Sequence, residues 1–301
     1  MRAVVLHGAN DLRYEEVPTP TIGVDEILIR TRAAAVCGTD LRIVDGTKTL
    51  GVRIPGITGH ELAGTVAQVG DEVGGFRVGD RVSVAPVVTC RNCYYCTHGM
   101  DNLCVSRKAI GYEYDGGFAE YVAVPGPALA AGNVRHLAAH VSYEEGALAE
   151  PLACCINGNE KAQVRLGQSV LIVGAGPIGL MHLQLARAAG AGEVIVSEPH
   201  VHRRNVAREM GATTVVDPLN EDLAEIVAAK TSGLGVNAVI MAFGATQVVN
   251  QMIGLARKGG IVNLFAGFPG KGETTIQANL IHYSEVNVVG TSSSARRHYH
   301  K

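Results

Sequence analysis

SVLIVGAGPIG, residues 169–179, decides how the second half of this chain folds. Ser169–Val173 reads as a buried strand, and Gly174, Gly176 and Gly179 follow at the mouth of a helical pattern, PIGLMHLQLARAAG. A bare G-x-G-x-x-G is a common turn, but between a strand and a helix it has a specific use. The first glycine permits the tight turn, the second lets backbone approach a pyrophosphate, and the third allows close helix–strand packing. Pro177 suits the fixed φ of a helix start, and with Ile178 it completes the run. The free N–H groups and positive dipole end of that helix then favour phosphate. Gly174, Gly176, Pro177, Ile178 and Gly179 are thus the expected cofactor cradle.

Downstream, apolar strands alternate with helical patterns: EVIVSEP, VHRRNVAREMG, TTVVD, EDLAEIVAAKT, NAVIMAFG, TQVVNQMIGLARKGG and IVNLFAG. This alternation predicts βαβ units and a doubly wound parallel sheet. Glu198 ends the strand EVIVSEP at the spacing expected of the acid that binds ribose hydroxyls. A carboxylate there accepts from a free 2′-OH and repels a 2′-phosphate, which favours NAD over NADP. Arg203 and Arg204 are open to three readings: lining the adenosine pocket, tolerating a 2′-phosphate, or forming a solvated helix face. The segments MAFGA (241–245) and LFAGF (264–268) should sit at the carboxyl ends of the strands, with Phe265 and Ala266 beside the nicotinamide.

Upstream the texture is different. Up to about residue 150, short runs such as EILIRTRAAAV, GTVAQVG, RVSVAPVV and FAEYVAVP are broken by Gly, Asp and Pro, which predicts an antiparallel barrel or sandwich. Within this half, CRNCYYCTHGMDNLC places Cys90, Cys93, Cys96 and Cys104 in the spacing C-x2-C-x2-C-x7-C. Four thiolates close a tetrahedral site suited to zinc, and with no vacant position such a zinc is structural. Disulfides or free thiols are the competing reading. A 301-residue chain needs no staples, and its start resembles no export signal, so metal is expected and the compartment is expected to be the reducing cytoplasm.

The composition, 47% apolar and 18% charged with 37 glycines, is that of a folded chain long enough for two cores. A net charge of −2 leaves no basic footprint for nucleic acid or a membrane surface. No apolar stretch approaches the roughly 18 residues of a spanning helix. The remaining metal-type ligands form a second set: Cys37 in AAAVCGTD, and His60 with Glu61 in GITGHELAGTVAQVG. Singly, each is more often a core residue. Together, mixed sulfur, nitrogen and oxygen donors suit a catalytic zinc, which keeps three protein ligands and one open position.

The segment GHELAGTVAQVGDEV (59–73) resembles the zinc signature of the medium-chain alcohol dehydrogenase family. CGTD at 37–40, the cysteine lobe at 90–104, EPLACC at 150–155 and GAGPIG at 174–179 arrive in family order. The resemblance covers essentially the whole chain and is strongest to the sorbitol (polyol) and threonine dehydrogenase branch. It implies a GroES-like antiparallel β-barrel catalytic domain over 1–155, a Rossmann NAD-binding domain over 156–290, and a return to the catalytic domain over 291–301. It further implies that Cys37 and His60 are catalytic zinc ligands, that Glu61 or Glu150 is the acidic third ligand, that Asp40 orients the histidine, and that Thr39 takes the proton of the substrate alcohol. The implied cofactors are zinc and NAD. The implied reaction oxidises a secondary alcohol of a polyol such as sorbitol or L-iditol to a ketone, with a polyol phosphate or L-threonine as alternatives, in a dimer or tetramer of like chains.

Two departures from the family pattern stand out. Arg42 occupies the position, five after the zinc cysteine, where relatives carry a proton-relaying histidine. A guanidinium stays protonated, so water or the cofactor ribose would release the proton, or Arg42 binds an anionic substrate group. The chain also stops at Lys301, where family members continue, which suggests a shortened C-terminus. Cys154 and Cys155 are expected to be packing residues. A non-catalytic dinucleotide-binding scaffold is the competing class, which one zinc per chain in place of two would support; zinc-free reductases of the same fold would be expected to lack the set Cys37, His60 and Glu61.

Overall fold

A computed structural model describes residues 1–268 and 270–300, so Lys301, the last residue of the expected 291–301 segment, lies outside the described residues. The chain divides into two compact units, Met1–Ala153 together with the tail from Ser294, and Cys154–Ser293. Among the described residues no helix is long and apolar enough to cross a membrane.

The first unit is built from ten short strands: β1 (Arg2–Gly8), β2 (Asp11–Glu16), β3 (Ile27–Ala35), β4 (Gly56–Ile57), β5 (Glu61–Val69), β6 (Arg81–Val84), β7 (Val87–Val88), β8 (Lys108–Ala109), β9 (Tyr121–Val124) and β10 (Val134–His136). They form antiparallel sheets in the orders β2-β1-β4, β10-β6-β5-β3-β9 and β7-β8. The five-stranded sheet turns Ile27, Ile29, Leu62, Val66, Val82, Val84, Val122, Val124 and Val134 into one core. Each such side chain contributes roughly 1.5–3 kcal/mol when fully buried, against the entropy of ordering the chain. The pairing of β3 with β5 runs to Ala34 opposite Leu62 and Ala35 opposite Glu61. That register closes the gap between CGTD and HE. The tail folds onto the cysteine lobe, where Arg296 donates through its backbone N and Nε to Asp101 Oδ2, at 3.1 and 3.0 Å, and through Nη1 to the Ala131 carbonyl.

The second unit carries six parallel strands: β11 (Ser169–Val173), β12 (Glu193–Ser197), β13 (Thr214–Val216), β14 (Val236–Met241), β15 (Ala256–Leu264) and β16 (Asn287–Gly290). Their order is β13-β12-β11-β14-β15-β16, the doubly wound dinucleotide-binding arrangement, in which strand order reverses about the first strand. Parallel strands are covered on both faces. Accordingly, Val170 and Ile172 enter one apolar cluster while Leu171 enters the other.

The helix Pro177–Ala188 buries a histidine in this core. His182 packs edge-on against Phe265, with ring centroids 4.5 Å apart, and neither ring nitrogen has a hydrogen-bond partner among the described residues. Burial pulls its pKa down to about 3. The unfolded chain takes up this proton near pH 6.5 and the folded chain does not, so stability is lost as the pH falls below about 6.5. Between pH 7 and pH 5 the loss is about 2 kcal/mol. His182→Leu, which nearly conserves volume, should therefore lose less of its melting temperature than the parent protein when moved from pH 7 to pH 5. An identical drop in both proteins would contradict this account.

Candidate active site

Cys37 stands two residues after β3 and caps the helix Gly38–Val44. Its Sγ accepts from the Thr39 backbone N–H at 3.5 Å, and its own N–H donates to Asp40 Oδ2 at 2.8 Å. This reciprocal cap locks the thiol and the carboxylate in one turn. His60 enters from the other side, after Gly59. The φ of +92° at Gly59, and the Phe118 ring 2.7 Å from where a Cβ would stand, admit only glycine there. The free oxygen of Asp40 lies 3.4 Å from His60 Nδ1. Asp40 therefore holds one ligand by its backbone and faces the ring of the other, as partners behind a metal-bound histidine do. Asp40, His60, Glu61 and Glu150 are all buried.

The ligand atoms of Cys37, His60 and Glu61 all lie within 4.8 Å of one another. Glu150 stands beside them, outside that group among the described residues, but close enough for its charge to act on His60 and Glu61. Burial lowers the pKa of His60, yet Asp40, Cys37 and Glu150 outweigh it and hold the imidazole well above its usual range. Burial, with the charge of Glu150, pushes the Glu61 carboxyl up to about 7. Acidic groups are crowded into a dry pocket. A divalent cation relieves that crowding, and the mixed donor set suits zinc. Asp40→Asn keeps an acceptor for the Cys37 N–H but removes the charge facing His60. It should weaken zinc at this position roughly 10–100-fold, read by competition with a chromophoric chelator; unchanged affinity would contradict the orienting role.

In the cysteine lobe the four ligand sulfurs also lie within 4.8 Å of one another, with Cys90 Sγ 3.9 Å from Cys96 Sγ and 3.5 Å from Cys104 Sγ. A disulfide brings sulfurs to about 2.05 Å, whereas the edge of a ZnS4 tetrahedron with Zn–S near 2.3 Å is about 3.8 Å. The spacing fits zinc. Backbone N–H groups of Val105 and Cys96 hold the Cys93 thiol down at about 6, favouring the thiolate a metal needs.

In the second unit, Gly174, Gly176, Glu198 and Arg203 line a cleft of about 640 Å³ together with Pro199, Asp222 and Phe243. Gly176 caps the helix that starts at Pro177. A Cβ on Gly179 would stand 1.9 Å from the Gly174 carbonyl oxygen, so only glycine allows this close helix–strand contact. Pro177, Ile178 and Gly179 shape the turn behind the cleft and do not line it. Glu198 is buried, and its carboxylate accepts from the N–H groups of Ala175 (2.8 Å) and His200 (2.9 Å). Each oxygen keeps a lone pair for a ribose hydroxyl. Arg204 turns away from the cleft, pairing with Asp217 at 2.9 Å and donating to the carbonyls of Glu198 and Pro199. Phe265 packs on His182, and neither it nor Ala266 lines the cleft. Cys155 is buried as packing requires, while Cys154 is half-buried. A larger hollow of about 870 Å³ beside the cysteine lobe, lined by Asp25, Glu72 and Arg91, contains none of the catalytic set.

One neighbour of the zinc ligands, and the cation next to it, escape a reading of the sequence. Tyr112, in the glycine-rich run GYEYDGG, sets its ring 5.5 Å from that of His60, and Lys48 places Nζ 5.5 Å from the Tyr112 ring. Neither lies in a periodic segment or a spaced motif that would have signalled it.

Residues 23–135 match the alcohol dehydrogenase GroES-like domain, and residues 177–301 match the zinc-binding dehydrogenase family. L-threonine 3-dehydrogenase of Pyrococcus furiosus is 39% identical over 91% of this chain and 78% of its own length. Sorbitol dehydrogenase of Bacillus subtilis is 33% identical over 96% of this chain and 81% of its own. Among solved structures, NADH-bound rspB of Escherichia coli CFT073, described as a short chain alcohol dehydrogenase, superposes with a TM-score of 0.89 at 28% identity, covering 99% of this chain and 85% of that one. The chain belongs to the zinc-dependent medium-chain alcohol dehydrogenase family. It is an oxidoreductase with a GroES-like unit and a Rossmann unit, and its cofactors are zinc and a nicotinamide dinucleotide.

Proposed function

We propose that this protein oxidises a secondary alcohol of a vicinal polyol, of the sorbitol or L-iditol type, to the corresponding ketone with NAD. The convergence of Cys37, His60 and Glu61 within 4.8 Å, with Asp40 behind the imidazole, carries this reading. When bound, zinc supplies Lewis acidity toward the substrate hydroxyl, and the dinucleotide supplies the hydride acceptor. Cys37, His60 and Glu61 would hold the metal, Glu150 would add negative charge beside the ligands, and Asp40 would fix the ring orientation of His60.

Thr39 receives the hydroxyl proton. Its Oγ1 is steadied by Arg42 Nη2, which donates to it at 3.1 Å. Because the guanidinium keeps its own protons, Thr39 passes this proton to water. Gly174, Gly176 and the helix start bind the pyrophosphate, Glu198 accepts from the adenosine ribose, and Arg203 lies along the same cleft. Glu61 serves as the third ligand, like chains assemble into a dimer or tetramer, and the protein works in the cytoplasm. Likeness to the P. furiosus enzyme makes L-threonine the competing substrate.

Initial rates on a panel of polyols, polyol phosphates and L-threonine, with NAD and NADP compared, test the proposal. Turnover of a polyol, free or phosphorylated, with NAD preferred at least roughly tenfold in kcat/KM, about 1.4 kcal/mol, is expected. Preference for L-threonine would overturn the polyol assignment, and failure to turn over any secondary alcohol would overturn the reaction.

A further inference from the structure

Resting on the dehydrogenase reading above, we propose that the alcohol carries a phosphate monoester, held by Arg42 and Lys48 with Arg107 adding to the positive field. Three cationic side chains lie within electrostatic reach of one another, with Arg42 and Arg107 both acting on Lys48. Arg42 lies in the last turn of the helix that Cys37 caps, and its guanidinium turns back to Thr39 Oγ1. The following loop folds onto the end of that helix, because the Lys48 N–H donates to the Arg42 carbonyl at 2.8 Å and Thr47 Oγ1 donates to the same oxygen. This brings the half-buried Lys48 over the Tyr112 ring, which in turn flanks His60. Two steps of 5.5 Å thus separate the ammonium from the imidazole, so Nζ lies at most about 11 Å from that ring.

Acidic groups act on these cations through charge alone, Glu113 on Lys48 and Asp45 on Arg42. Among the described residues none of Arg42, Lys48 and Arg107 makes a salt bridge. The nearby acids are engaged by other groups: Glu113 accepts from the Ala109 N–H, and Asp45 accepts from the backbone and hydroxyl of Thr47. Lys48 donates to the Leu50 carbonyl. Burial lowers the pKa of Lys48, and the charges of Arg107 and Arg42 lower it further against the pull of Glu113. Like charges left together in this way suit an anion that neutralises them.

An upper bound of about 11 Å also leaves room for a phosphorylated polyol. In an extended five-carbon polyol, an internal hydroxyl and a terminal phosphorus lie roughly 6–8 Å apart, given carbon–carbon bonds near 1.5 Å. Arginine offers the phosphate a planar fork and lysine a point charge. A neutral polyol leaves the cations uncompensated, and an amino acid brings an ammonium into the same positive field.

The test measures rates of the zinc-loaded full chain with NAD on sorbitol, galactitol and D-arabitol, on their terminal phosphates, and on L-threonine. At least one phosphate should exceed its parent polyol by about 100-fold or more in kcat/KM. Lys48→Met and Arg42→Met should each reduce that ratio at least tenfold, mainly through KM for the phosphate, with Lys48→Arg recovering most of it. A structural role would lower both substrates together and leave the ratio unchanged. Neutral polyols or L-threonine used as well as the phosphates would overturn the proposal while leaving the dehydrogenase reading intact. Parallel weakening of NADH binding in the variants would reassign the cations to the cofactor and also overturn it. If no alcohol is turned over, the dehydrogenase reading fails by itself. Calorimetry of glycerol 1-phosphate against glycerol then decides the subsite: phosphate-selective binding that Lys48→Met abolishes supports it, and no binding overturns it.

Discussion

Cys37→Ser should lower turnover at least about a thousandfold, some 4 kcal/mol of barrier, and remove one of the ions that the two ligand groups accommodate. A serine hydroxyl does not ionise near neutral pH, so the thiolate donor is lost while the shape of the turn is kept. His60 and Glu61 alone provide two protein donors where a catalytic zinc takes three. The cysteine lobe and the dinucleotide cleft do not depend on Cys37, so metal analysis should still find one zinc and fluorescence titration should still find NADH binding. A variant that kept both ions, or kept its turnover, would refute the assignment of Cys37.

Cys96→Ala should act on stability. Cys96 is buried, and burial, with its sulfur neighbours, pushes its thiol up to about 12, so only a metal makes it a thiolate at neutral pH. With three donors left the lobe loses its closed shell, and part of the metal's binding energy is lost from folding. That energy is roughly 10–16 kcal/mol in isolated zinc-finger peptides. In a unit with its own β core the expected loss is smaller, about 3–5 kcal/mol, which lowers the melting temperature by roughly 10 °C or more. The loosened lobe should also release the tail that Arg296 ties to Asp101 and Arg297 ties to the Gly99 carbonyl, giving proteolytic cutting there first. An unchanged melting temperature would contradict a structural metal. Matching behaviour of the Cys37 and Cys96 variants would erase the distinction between the two sites.

Local chemistry made much of this protein readable in advance. SVLIV reads as a strand because a parallel strand is apolar on both faces, and the alternation that follows it produces the parallel sheet. The four cysteines declare themselves through spacing, since tight turns bring neighbouring thiols together. Long-range geometry was harder to read. Cys37 and His60 meet only because β3 and β5 pair in a register that sets Ala35 against Glu61, and motif order signalled this where periodicity did not. Glu61 and Glu150 were equivalent as acids; coordinates group the Glu61 ligand atom with those of Cys37 and His60. Arg203 and Arg204 are adjacent, yet one helical step of about 100° sends the first to the cleft and the second to Asp217. His182 was hidden in a helical apolar pattern, and Tyr112 and Lys48 sit in irregular loops whose placement depends on everything around them.

Catalysis here depends on a metal ion held by Cys37, His60 and Glu61. Diffraction from crystals of the zinc-loaded protein, recorded on both sides of the zinc absorption edge, tests this most directly. Two anomalous peaks per chain are predicted, one among Cys90, Cys93, Cys96 and Cys104 and one within bonding distance of Cys37 Sγ, a ring nitrogen of His60 and a carboxylate oxygen of Glu61. A peak in the cysteine lobe alone, with Cys37 and His60 turned apart, would contradict it.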